Sequence, residues 1–159
     1  MVPRVFERGA SHYAGGVSYA IVPRRVDVVS RIVRDVSQLR WLLPYVADVE
    51  VVSVAPSGRA KVRVTHEFGP FRGGYTFFIE FSDRGRRARF WIDTSADENA
   101  VGNAWGFLRL SATGDGSRTL VAYGVYFDLG PGMVRTFFES RIQRAALRYP
   151  RRLADVALR

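Results

Sequence analysis

The 159-residue chain contains no cysteine. That excludes a disulfide scaffold, a thiolate-ligated zinc or iron–sulfur site, and thiol catalysis. It also fits a reducing compartment, so the expected location is cytoplasmic. Histidine is nearly absent too. With only His12 and His66 available, no transition-metal site is expected, and no cofactor. No apolar run approaches the ~18 residues of a helical membrane span. The opening "MVPRVFERGASHYAGG" lacks the apolar core of a secretory signal, so the expectation is a soluble protein. There is no Walker loop, no G-x-S-x-G elbow and no H-E-x-x-H. Paired carboxylates are missing as well, since Asp97 and Glu98 are neighbours in a loop. No residue is therefore assigned a catalytic role.

Basic charge is abundant, with a formal net charge of +9. Taken alone, that points to nucleic acid or an anionic membrane. Lys61 is the only lysine among 24 basic residues, and the arginines are interleaved with acids, as in "RGRRARFWID" and "FFESRIQRA". This pattern describes a solvated basic surface. Nucleic acid is not the expected partner, and transient contact with an anionic membrane stays open. Nothing in the sequence sets the oligomeric state.

Periodicity outlines one domain over 1–159, with residues 1–14 loosely attached. A first strand, "VSYAIVP", follows Gly16 and ends at Pro23. Val26, Val29, Ile32 and Val33 recur at helical spacing. A second short helix is predicted over Ser37 to Leu43, with Ser37 as N-cap and Pro44 as stop. Strands come next. "AKVRVTHEF" puts Val62, Val64, His66 and Phe68 on one face. "YTFFIEFS", "RARFWIDTS", "AWGFLRLSA" and "TLVAYGVYFDL" follow, the last two joined by "TGDGSR". From Met133, the residues Val134, Phe138, Ile142, Ala145, Tyr149, Leu153 and Val156 form one apolar helical stripe. Pro150 predicts a kink near Ala146 to Tyr149. The order is strand, two short helices, six strands and one long helix. It describes an α+β domain whose antiparallel sheet is covered by the C-terminal helix.

Three segments carry a resemblance: "RDVSQLRWLLPYVADVEVV", "GNAWGFLRL" and "GDGSRTLVAYGVYFDLG". In order and spacing they are similar to the START/Bet v 1-like (SRPBCC) helix-grip superfamily, including its polyketide cyclase/dehydrase and coenzyme Q-binding groups. The resemblance spans roughly Gly15 to Leu158. It implies a curved seven-stranded sheet gripping the C-terminal helix, with a mostly apolar cavity between them. Trp41 and Tyr45 would then sit at a corner of that cavity, where Pro44 aims the chain into the next strand.

Candidate ligand-binding residues follow from the strand faces. His66 shares its face with Val62 and Val64. It is either a satisfied core histidine or a polar contact in the cavity, with general-base chemistry as a third role. Trp105, Phe107 and Arg109 share one face of "AWGFLRL". If it is inward, Arg109 needs a polar partner such as a ligand oxygen, Asp93 or Glu67. If it is outward, Arg109 reaches water. A one-residue slip in register swaps the two. Tyr75 and Phe77 on one aromatic strand, and Tyr123 on the last, are placed at the cavity wall, where the phenols can hydrogen-bond a ligand. Phe138 and Ile142 are the helix contribution. Phe71, Met133, Val134 and Phe137, near Arg72 and Arg135, form a lid, touch a membrane or fold back onto the core.

Three functions remain. The leading one is binding or carrying a hydrophobic small molecule: a lipid, an isoprenoid or quinone, or a polyketide-like compound. The second is a polyketide cyclase or dehydratase. The third is a protein-interaction module whose cavity is filled by side chains such as Phe77, Phe81, Phe90, Trp91 and Trp105.

Overall fold

The computed structural model describes residues 1–69 and 71–159, the side chains of Phe68 and Phe71 excepted. Eight strands form one fully antiparallel sheet: β1 (Val2–Arg8), β2 (Ser11–Val22), β3 (Val46–Val54), β4 (Ala60–Phe68), β5 (Phe71–Ser82), β6 (Arg87–Ile92), β7 (Asn103–Ala112) and β8 (Thr119–Asp128). Their order is β1-β2-β8-β7-β6-β5-β4-β3. Helix α1 (Val26–Arg34), a 3-10 turn (Val36–Gln38) and α2 (Leu39–Leu42) connect β2 to β3. Helices α3 (Met133–Ala146) and α4 (Tyr149–Ala157) close the chain.

The strand count corrects the expected seven. Residues 1–14 are not a loose tail. β1 pairs with β2 from Val2 opposite Val17 to Arg8 opposite Ser11, around a turn with Gly9 at φ 62°. Its proline and charged residues, Pro3, Arg4, Glu7 and Arg8, are what an edge strand uses to avoid further pairing. In sequence the same residues look unstructured.

The two short helices form where the spacing placed them. The cap differs: Asp35, not Ser37, receives the helix start. Its carboxylate accepts the Ser37 backbone N–H at 3.1 Å and the Ser37 hydroxyl at 2.6 Å. Leu43, before Pro44, is extended, as proline requires of its predecessor. Tyr45 then adopts φ 55°, a left-handed turn that is uncommon for a bulky residue. It swings the chain into β3, and the Tyr45 carbonyl accepts the Glu67 N–H at 2.9 Å.

The C-terminal segment is two helices rather than one kinked helix. The α-helix stops at Ala146 and restarts at Tyr149 with Pro150 in its first turn. There the missing proline N–H costs nothing, because first-turn donors have no intrahelical acceptor. The split divides the labour. On and just before α4, Leu147 and Leu153 are fully buried, each such side chain worth about 1.5–3 kcal/mol relative to exposure. In α3 only Gln143 is buried, so α3 lies over the domain rather than within its core.

Register decides which strand faces meet the helices. Gly106 of β7 pairs with Phe90 and Val125 and faces inward, as do Leu108 and Leu110, both buried. A Cβ at Gly106 would stand 2.2 Å from the Phe90 ring, so only glycine leaves room for that aromatic. Trp105, Phe107 and Arg109 therefore face outward. There Trp105 packs on Tyr126 at 4.7 Å, and Phe6 packs on Tyr126 and Tyr13.

Candidate ligand cavity

The inner sheet face and α3 enclose a cavity of about 480 Å3. Its walls are Phe77, Ile79, Phe90, Leu108, Val125 and Phe127 from the sheet, with Phe138 and Ile142 from α3. The inward residues Ala88 of β6 and Ala104 of β7 are small and line the cavity, which leaves room over the middle of the sheet. The lining residues Tyr45, Arg72, Met133 and Val134 are exposed and mark the mouth. Phe137, one turn beyond Met133, is 70% exposed. The side chain of Phe71, expected in the same lid, lies outside the described residues.

Polar groups in the wall are few. His66 Nδ1–H donates to the Pro44 carbonyl at 2.7 Å. A carbonyl accepts only, so the proton belongs on Nδ1 and Nε2 is left as an acceptor for the Tyr75 O–H at 3.1 Å. His66 and Tyr75 also stack at 5.3 Å. Burial pushes the His66 pKa below its ordinary 6.5, and the Pro44 carbonyl only partly offsets this. The imidazole is therefore neutral near pH 7. Deeper in, Tyr123 stacks on Tyr149 at 4.5 Å and 11° and on Phe90 at 5.9 Å. Desolvation raises the pKa of Tyr75, Tyr123 and Tyr149 above the usual phenol value, so all three stay protonated. The lining cations are Arg72, paired with Glu67 at 3.1 Å, and Arg141. Among the described residues, no group of three or more acidic or histidine side chains is placed to hold a metal.

Of the residues singled out in the sequence, Tyr45, His66, Tyr75, Phe77, Tyr123, Phe138 and Ile142 line the cavity. Four do not. Trp41 is 53% exposed. It lies opposite Leu39 and Leu42, which the single turn of α2 buries, and the Arg159 guanidinium sits over its ring at 5.4 Å. Trp105, Phe107 and Arg109 are on the outer face. Neither expected partner serves Arg109: Asp93 binds Lys61 at 2.6 Å and Glu67 binds Arg72. Tyr149, Phe90 and Phe127 belong to the wall and were missed. Tyr149 was legible as part of the helical stripe and of the interruption expected near Ala146 to Tyr149, but its place in the cavity wall was not.

No protein-family model matches the chain, and no curated protein does. Solved structures do. The Zhui aromatase/cyclase from Streptomyces sp. R1128 aligns over 93% of this chain and 95% of its own, with TM-score 0.75 and 18% identity. The STAR-related lipid transfer protein fragment from Xanthomonas axonopodis aligns over 99% of both chains, with TM-score 0.72 and 12% identity. This is the START/Bet v 1-like helix-grip fold. A Thalictrum norcoclaurine synthase mutant in complex with a transition-state analogue shares it, with TM-score 0.66, 14% identity, and 95% and 98% of the two chains covered. At these identities the likeness establishes the helix-grip architecture and leaves function to the cavity itself. In this chain the sheet of the grip has eight strands, with β1 at one edge. No helix among the described residues is long and apolar enough to cross a membrane.

Proposed function

We propose that this helix-grip domain binds and carries a hydrophobic small molecule of lipid, isoprenoid/quinone or polyketide-like type. The carrying observation is the cavity: about 480 Å3 of space behind an almost wholly apolar wall. Ligand pockets typically run to about 300–1,000 Å3. Burial of ligand surface at ~25 cal/mol per Å2 supplies the affinity, and the tyrosines and His66 supply orientation. A lipid transfer protein and an aromatase/cyclase among the structural neighbours support this reading at the level of the fold. An open cavity speaks against the filled interaction module. Exposed Met133, Val134 and Phe137, with Arg72 across the mouth, support loading or release during transient contact with an anionic membrane.

A cyclase or dehydratase is the second reading, and it rests on the His66–Tyr75 pair. Both imidazole nitrogens are already engaged with the protein, which favours a carrier over an enzyme. Native mass spectrometry of freshly purified protein, with organic extraction, tests the proposal. A discrete co-purifying apolar mass, or uptake of added fatty acids, quinones or sterols, is the expected result. A bare chain that takes up none of them would overturn it.

A further inference from the structure

The inner end of the cavity presents hydrogen-bond donors without acceptors. His66 and Tyr75 satisfy each other, but the hydroxyls of Tyr123 and Tyr149 have no hydrogen-bond partner among the described residues. Both residues are nearly enclosed, at 4% and 6% exposure. Among the described residues, the side-chain oxygens sealed from open space and outside the hydrogen-bond network are Ser18 Oγ, Asp93 Oδ2, which pairs with Lys61, and Glu139 Oε2, which pairs with His12. Neither tyrosine hydroxyl is among them, so each meets open cavity space. The two rings are nearly parallel and in contact, at 4.5 Å and 11°, and each lines the same cavity. A native interior rarely leaves buried donors unmatched. Water can satisfy these donors while the cavity is empty, and a ligand that displaces it must bring an acceptor of its own.

The surroundings narrow that acceptor. Burial keeps both phenols protonated, so they offer O–H donors and no charge. The lining cations, Arg72 and Arg141, are exposed side chains, whereas both tyrosines are buried. A carboxylate pushed to this depth would lose its hydration with no counter-charge. A bare hydrocarbon end would leave both donors unpaired. A neutral carbonyl oxygen meets neither penalty, because its two lone pairs accept both O–H groups.

We propose that Tyr123 and Tyr149 form a donor pair that reads a neutral carbonyl oxygen, of a ketone, quinone or lactone, at the buried end of an otherwise apolar ligand. This rests on the ligand-binding reading above. Free fatty acids and plain hydrocarbons are then poorer ligands than carbonyl compounds of the same shape.

Three planar probes of like outline test it: anthracene, 9,10-anthraquinone and anthracene-9-carboxylate, titrated into the full chain with tryptophan quenching as readout. The wild-type protein is expected to bind the quinone about tenfold more tightly than either other probe, the scale of one net hydrogen bond. The double variant Tyr123→Phe/Tyr149→Phe should lose that preference while still binding anthracene. Retained anthracene binding shows that the variant's cavity is intact. The bound quinone's carbonyl stretch should shift to lower frequency in the wild type and not in the variant. Equal wild-type affinity for anthracene and quinone, or a preference that survives in the double variant, overturns the donor pair alone. Binding of none of the three by the wild type overturns the cavity reading and the donor pair with it.

Discussion

The two histidines sit in opposite electrostatic settings, and their pH responses should oppose each other. His12 lies between two carboxylates, with Nδ1 at 2.5 Å from Glu7 and Nε2 at 2.9 Å from Glu139. Arg135 stands 3.9 Å and 3.8 Å from those same two groups. The Glu7 bond first, then the Glu139 bond, raises the His12 pKa above 6.5 against the opposing pull of burial and Arg135. A raised folded pKa means that the stabilisation is complete below 6.5 and is lost as pH rises through the folded value. His66 behaves in reverse. Its desolvated ring has a lowered pKa, so its contribution is complete above 6.5 and is lost as pH falls towards the folded value. Urea unfolding across roughly pH 5–8 should therefore show stability falling at both ends of the range. His12→Gln should flatten the alkaline side and His66→Gln the acid side. If both variants flatten the same side, the two settings have been misassigned.

At the scale of elements, a buried amide joins the His12–Glu139 and Arg135–Glu7 contacts in holding α3 to the N-terminal hairpin. Gln143 Nε2 donates to the carbonyls of Arg4 at 2.9 Å and Gly15 at 2.8 Å, tying α3 to β1 and β2 together. Gln143→Leu leaves both carbonyls without that donor and should destabilise the protein by about 1–3 kcal/mol. Amide exchange should quicken first in β1 and α3 and leave β4 and β5 protected. Uniform loss across the sheet would show that this contact is not local. Elements whose patterns were one-sided could be read in advance. β4 alternates an apolar with a charged or polar face, α1 carries one apolar stripe, and Pro44 stops a helix. β1 could not be read, because edge strands are made unattractive on purpose. β7 was ambiguous because both of its faces are apolar. Its direction is set by Gly106 under the Phe90 ring, a tertiary fact with no local signature. The site divides in the same way. His66, Tyr75, Phe77 and Tyr123 were legible because their strands alternate beside plainly buried neighbours. Trp41, Trp105 and Phe107 misled because large aromatics in this domain also pave the outside of the sheet.

For the whole molecule, the central question is whether the hollow between sheet and α3 is a working volume or a packing defect. A single substitution separates the two. Ala104 lines the cavity, and its strand neighbour across β8 is Phe127, another wall residue. Ala104→Leu adds an apolar side chain with no polar group to bury. If the cavity persists in solution, the added carbons occupy empty space, and the variant should gain about 0.5–2 kcal/mol, as cavity-filling changes commonly do. Uptake of apolar probes should fall at the same time, because the ligand and the new side chain compete for one volume. If α3 instead settles onto the sheet and closes the gap, the same leucine overpacks a filled core and should cost about 1–3 kcal/mol. The sign of the change in urea midpoint thus distinguishes a carrier from a filled scaffold without knowledge of the ligand. A gain in stability paired with a loss of uptake is the outcome expected of a domain that holds its core open for something else.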